Sequence, residues 1–287
     1  MTSPTSPSEP LHDLPGSSTD AGTGPVVAEL VEALFDDAGP LGAHRDHRAA
    51  WYGETVGCLL VEASNTESTT EDLISRDHAL PVLLAGRDRQ QVRAARDLLA
   101  EDDRVELVGV RLPLPQVGAL AAAHLLAALD FTVPAWIELS PASGWADVVR
   151  VLAGDGAESL TLLLDDASPI EAARLLRAVI DHDLAFRLGG ADLPVITPDA
   201  AVASSPVRRY GVLNVLCAVR AALNGAESPA LAAILAEPDS APLTSALRRM
   251  SEADAAVARG FCTAVQVDDV AAMVAQWVRH GLIGPED

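Results

Sequence analysis

The sequence predicts an α/β fold in which short parallel strands alternate with longer helices, and three observations carry that expectation. From residue 56 onward, short runs rich in Val, Leu and Ile recur between longer stretches of helical periodicity. Most of these runs are continuously apolar rather than alternating, as in strands covered on both faces. Helix start signals stand where the pattern needs them: Ser168-Pro169-Ile170-Glu171 combines a capping Ser, a Pro in the first turn and a Glu placed for a capping box. Ser228-Pro229 repeats the first half of that signature. Repeated β-then-α units imply right-handed crossovers and one parallel sheet, either closed as a barrel or open and doubly wound. No GxGxxG follows the first strand, which takes support from a dinucleotide-binding open sheet. The expectation is therefore a TIM-barrel-like domain, distorted on one side, with seven or eight parallel strands.

Taken in order, residues 1–24 are dominated by Ser, Thr, Pro and Gly and cannot repay the entropy of ordering, so they are read as a disordered tail. Residues 25–287 then form a single barrel-like domain. Two leading helices are expected at 25–37, with Val27, Leu30, Val31 and Leu34 on one face, and at 43–52. Strands are expected at 56–62, 80–85, 105–112, 133–139, 159–164, 184–188 and 261–265. Helices are expected between them at 89–99, 117–129, 145–152, 169–181 and 268–280. The pattern becomes irregular after residue 189: a long loop at 189–206 precedes three helices, at 210–223, 229–236 and 243–258. A complete TIM barrel needs eight strands. Either the missing one lies within 191–203, at 193–196 or 200–203, or the barrel is distorted or open on that side.

Composition narrows the chemistry. The 287 residues carry 41 acidic and 20 basic side chains, a formal charge of −21, and every basic residue is an arginine. Without lysine there is no Schiff-base aldolase, no pyridoxal-phosphate enzyme and no Walker-A phosphate loop, because each needs an amine that guanidinium cannot replace. The charge argues against nucleic acid and anionic membranes as partners. Aromatics make up only 3%, so the core must be built from Ala, Leu and Val. The longest apolar stretch, 117–129, contains His124 and is too short to span a bilayer. The amino terminus lacks the pattern of a signal peptide, and Cys58, Cys217 and Cys262 form no CxxC pair, so a cytoplasmic protein with reduced thiols is expected.

In parallel α/β barrels reactive groups sit at the carboxyl ends of strands. The candidates there are Glu62, Arg87, Arg111, Glu138, Asp165, Asp166, Arg187 and Cys262. Glu62, Glu138 and Asp165 or Asp166 could converge on a hard divalent cation, and Arg111 and Arg187 could clamp a carboxylate or phosphate. Equally, the acids and arginines could pair with one another and hold no ligand. His44 and His47 share a helical face at a spacing a metal could use, but no third ligand is evident, and they are read as hydrogen-bonding partners. Asp181-His182-Asp183 falls at the amino-terminal face, where a helix terminus explains it. No GxSxG elbow is present, and Cys262 has no His partner in sequence.

Three stretches resemble an uncharacterised TIM-barrel-like family found mainly in actinobacteria: Leu34 to Ala38 with Ala43 to Tyr52 and the strand at 56–61; Leu184-Ala-Phe-Arg187 through Gly211-Val-Leu-Asn-Val215; and Arg259-Gly-Phe-Cys-Thr263 with the helix ending His280-Gly-Leu-Ile283. The resemblance covers nearly everything after residue 25. It implies a Phe-Lys strand running into a Thr-Ala-Gly-Leu-His-His segment, and an earlier strand ending in Lys, Arg and a Gly pair, as phosphate-binding or catalytic equipment. Here the lysine position is Arg187, both histidines are missing, and Asp165 and Asp166 stand where the glycines would be. Glu138, the candidate catalytic residue, and Cys262 remain. The pattern implies a noncatalytic or repurposed member that needs no cofactor or metal and binds a small anionic ligand or a protein partner, with the tail 1–24 and the loop 189–206 as contact segments. The alternative is a metal-dependent lyase or isomerase acting on a small anionic metabolite through Glu138, Asp165 or Asp166, with Arg187 holding the substrate.

Overall fold

Eight parallel strands close into a barrel in sequence order in the computed structural model, which describes residues 25–74, 79–114, 118–127, 133–142, 144–154, 159–199 and 207–284. The strands are β1 (Phe35–Asp37), β2 (Val56–Glu62), β3 (Leu80–Ala85), β4 (Val105–Pro113), β5 (Ala135–Leu139), β6 (Ser159–Leu163), β7 (Ala185–Gly189) and β8 (Cys262–Val267). Closure excludes the open doubly wound sheet. The expected tail 1–24 lies outside the described residues.

The strand that completes the barrel is β1, not a segment of 191–203. Residues 25–37 divide into a helix, α1 (Pro25–Val31), a turn, and a three-residue strand. Ala33 takes a positive φ of 46°, which helical backbone cannot absorb, and the chain leaves the turn extended. β1 then pairs with β8 through Phe35↔Val265, Asp36↔Gln266 and Asp37↔Val267, and with β2 on its other side. All three of its residues are buried. Phe35 packs edge-on against Trp277, with ring centroids 5.7 Å apart. Only α1 therefore precedes the barrel, while α2 (Leu41–Ala49) is already a crossover helix between β1 and β2.

Residues 193–196 are irregular instead, with Leu193 and Val195 buried. The carbonyls of Pro194 and Val195 accept from Val212 N and Leu213 N, satisfying the first amides of α8 (Val212–Leu223). The other candidate for the eighth strand, 200–203, lies outside the described residues. The Gly211-to-Val215 motif gains a structural reason: Asn214 Oδ1 accepts from Thr197 N, and its amide donates to the carbonyls of Ile234 and Glu237. A Cβ on Gly211 would lie 2.4 Å from Ile196 Cα.

Between the other strands lie α3 (Thr66–Asp72), which the sequence reading lacked, α4 (Arg89–Ala100), α5 (Ala119–Ala127), α6 (Trp145–Gly154) and α7 (Pro169–Asp181). Ser168 caps α7 with the full capping box. The expected helix at 243–258 is two, α10 (Ser240–Arg248) and α11 (Glu252–Phe261), because Ser251 starts a second capping box with Asp254. In α9 (Ser228–Leu235) the cap position belongs to Glu227, and Ser228 is already the first helical residue. The last helix is α12 (Val270–Arg279). Among the described residues, no helix is long and apolar enough to cross a membrane.

Candidate functional site

The inside of the barrel is polar at two levels, each organised by one arginine. Arg111 on β4 reaches across the lumen to β8, where its Nη1 donates to Gln266 Oε1 at 2.5 Å. Its Nε lies 3.1 Å from Glu138 Oε1 and its Nη2 3.7 Å from Glu62 Oε1. The structure thus brings Arg111, Glu62 and Glu138 together near the carboxyl ends of the strands, but the two acids meet on a guanidinium rather than on each other. Asp165 and Asp166 do not join them. Asp165 is half-buried near Arg209, and burial raises its pKa, with Arg209 opposing and Asp166 adding to the rise. Asp166 is exposed with a φ of 62°, and Arg87 is exposed. The expected convergence of carboxylates is absent, and among the described residues no three His, Cys, Asp or Glu side chains gather so as to hold a metal ion.

Arg187 organises the second level and points the opposite way from the sequence expectation. It sits in the middle of β7, and its Nη1 donates to Asp36 Oδ2 on β1 and, at 3.3 Å, to Cys58 Sγ on β2. Its guanidinium carbon lies 4.4 Å from the centre of the Trp136 ring on β5. Asp36, 3% exposed, also accepts from the amide and thiol of Cys58, at 3.2 and 3.0 Å. Burial is the largest single influence on Arg187 and opposes its charge, yet Asp36 and Cys58 together outweigh it and the pKa is raised. Burial pushes the Cys58 thiol well up, Asp36 adds to that, and Arg187 pulls the other way. The Nε of Arg187, Trp136 Nε1 on β5 and Thr161 Oγ1 on β6 are buried without a hydrogen-bond partner.

A cavity of about 290 Å³ opens beside this second level, lined by Asp36, Arg48, Cys58, Arg187, Arg259 and Thr263 among others. Its wall also takes Val56 and Gly57 from the start of β2 and Pro81 from the start of β3, so it lies at the amino-terminal mouth of the barrel. Gly57 leaves room for Asp36, since a Cβ there would come within 2.7 Å of Asp36 Oδ1. Arg48, at the end of α2, donates to Val56 O at 3.4 Å, and Arg259, at the end of α11, donates to Cys262 O at 2.5 Å and Glu32 O at 2.9 Å. Backbone carbonyls position both guanidinium groups without neutralising them. Burial lowers the Arg259 pKa and nearby Arg187 adds to that, while Cys262, Asp36 and Glu32 oppose it.

The remaining candidates are structural. Cys262 is the first residue of β8, at the amino end rather than the carboxyl end, and burial pushes its thiol up to about 12. His44 is fully buried with Nδ1 3.2 Å from Asp37 Oδ2, and His47 Nδ1 lies 3.1 Å from the Tyr52 hydroxyl, so the two imidazoles serve different partners. His182 Nδ1 meets Ala178 O at 2.8 Å at the end of α7. The described part of the loop 189–206 is tied down, with Leu193, Val195 and Thr197 buried. Sequence reasoning missed Asp36, Arg48, Cys58 and Arg259 as a group. One signal was available for Asp36: Leu34-Phe35-Asp36-Asp37 has the same form as Leu163-Leu164-Asp165-Asp166, an apolar run closed by two acids.

Compared with protein-family models, curated proteins and solved structures, the chain finds no match.

Proposed function

We propose that this protein binds a small anionic ligand and is a divergent, noncatalytic member of the actinobacterial barrel family it resembles. The observation that carries the reading is the amino-terminal cavity, where Arg48, Arg187 and Arg259 face a volume whose wall contributes one carboxylate, Asp36. In a chain of charge −21 such a concentration of guanidinium groups is a local reversal of sign. Guanidinium is the donor suited to carboxylate and phosphate oxygens. Three features support binding without turnover. Among the described residues, no histidine lines the cavity. Its thiol, Cys58, is held in the neutral form by burial. Its carboxylate, Asp36, is engaged by Arg187 and Cys58. The buried, unpaired cysteines Cys58, Cys217 and Cys262 support a reducing, cytoplasmic setting.

The test is isothermal titration calorimetry of the full chain against a panel of small carboxylates and inorganic oxyanions. Saturable binding that weakens in Arg48→Gln is expected, since Arg48 lies at the rim and its recorded bond is to a single carbonyl. The reading is overturned if no anion binds saturably at millimolar concentration, or if binding is indifferent to Arg48→Gln.

A further inference from the structure

Resting on that reading, the charge and size of the amino-terminal cavity narrow the class of ligand. Three guanidinium groups and one carboxylate leave two positive charges facing the same space. They belong to separate elements: Arg48 to α2, Arg187 to β7 and Arg259 to α11. Arg187 already shares one edge with Asp36, so of the two charges left a monoanion would compensate one and a dianion both. The volume is about that of ten water molecules at about 30 Å³ each, at the lower limit of ligand pockets. Trp136 lies against the Arg187 guanidinium, which leaves the edges of that group, rather than its Trp-covered face, for hydrogen bonding. Arg259 is fixed by the carbonyls of Glu32 and Cys262, so its position does not depend on a ligand.

We infer that this cavity is a site for a small dianion, whose oxygens are shared between Arg187 inside the barrel and Arg48 and Arg259 at its amino-terminal mouth. Two sources fit that chemistry: a single-centre oxyanion of the phosphate or sulfate kind, and a short dicarboxylate whose two ends meet different arginines.

The full chain titrated calorimetrically at constant ionic strength with sulfate, succinate, acetate and chloride separates the possibilities. Sulfate or succinate is expected to bind at least about tenfold more tightly than acetate or chloride, equivalent to about 1.4 kcal/mol. The tighter of the two dianions identifies the source. In Arg48→Gln and in Arg259→Gln the preference for dianions over acetate is expected to shrink severalfold, with acetate affinity changing less. Arg259 also holds two carbonyls, so circular dichroism accompanies its variant, and Arg48→Gln carries the test alone if that variant does not fold. Acetate binding as tightly as both dianions overturns the inference and leaves the anion-binding reading intact. Absence of binding by all four anions overturns both.

Discussion

Arg187 and Asp36 stand 151 positions apart in the chain and meet inside the barrel, where among the described residues neither forms a salt bridge with any other group. Their value to the fold is asymmetric. Removing one partner of a buried pair leaves an uncompensated charge and costs about 3–5 kcal/mol, whereas replacing both with apolar groups of similar volume is often neutral or stabilising. Arg187→Met is therefore expected to lower unfolding free energy by about 3–5 kcal/mol, and Asp36→Leu combined with Arg187→Met to recover most of the loss. Urea unfolding of the single and double variants measures this, and a double variant no more stable than the single would show that Arg187 acts through Trp136 packing instead. The sequence could nominate Arg187, because it stands in an apolar strand and replaces an expected lysine. It could not say which way the side chain leans. That depends on Asp36, which sits within a segment whose apolar spacing at Val27, Leu30, Val31 and Leu34 reads as continuous helix. Arg111 shows the same limit: its pairing with Glu62 and Glu138 follows from barrel closure, a long-range fact absent from any local window.

At the scale of elements, legibility followed the strength of local signals. Seven strands were readable because most of them are nearly continuous apolar runs. β1 was not, because a three-residue strand has no periodicity and takes its structure from pairing with β2 and β8. Helix starts make the same point on a finer scale. Ser168-Pro169 and Ser228-Pro229 look alike in sequence, but Ser168 accepts from Glu171 N and its own amide donates to Glu171 Oε2, while Ser228 lies one residue inside α9. Ser168→Ala is expected to cost about 1 kcal/mol of stability, and Ser228→Ala less than about 0.5 kcal/mol. Chemical denaturation of the two variants in parallel provides the check, and equal losses would mean that the capping box contributes nothing beyond the proline that both helices share.

For the molecule as a whole, the surplus of 21 negative charges and the arginine-lined cavity respond to salt in opposite directions. A net charge far from zero opposes the compact state by self-repulsion, and that repulsion acts over distances that added salt screens. The Debye length falls from about 30 Å at 0.01 M to about 10 Å at 0.1 M, so surface acids on opposite sides of the barrel cease to interact over that range. The buried Arg187–Asp36 contact is far shorter and is screened much less. Sodium chloride raised from about 0.01 M to about 0.1 M is therefore expected to increase the melting temperature, while the same addition weakens binding of a small anion at Arg48, which lies at the exposed rim. Thermal melts and anion titrations at the two concentrations measure both slopes on one preparation. A melting temperature that falls with salt would mean that attractive pairs such as Arg177–Asp181 and Arg104–Asp102 outweigh the general repulsion. Anion affinity that is unmoved by salt would place the binding charges deeper than the rim, on Arg187 rather than Arg48.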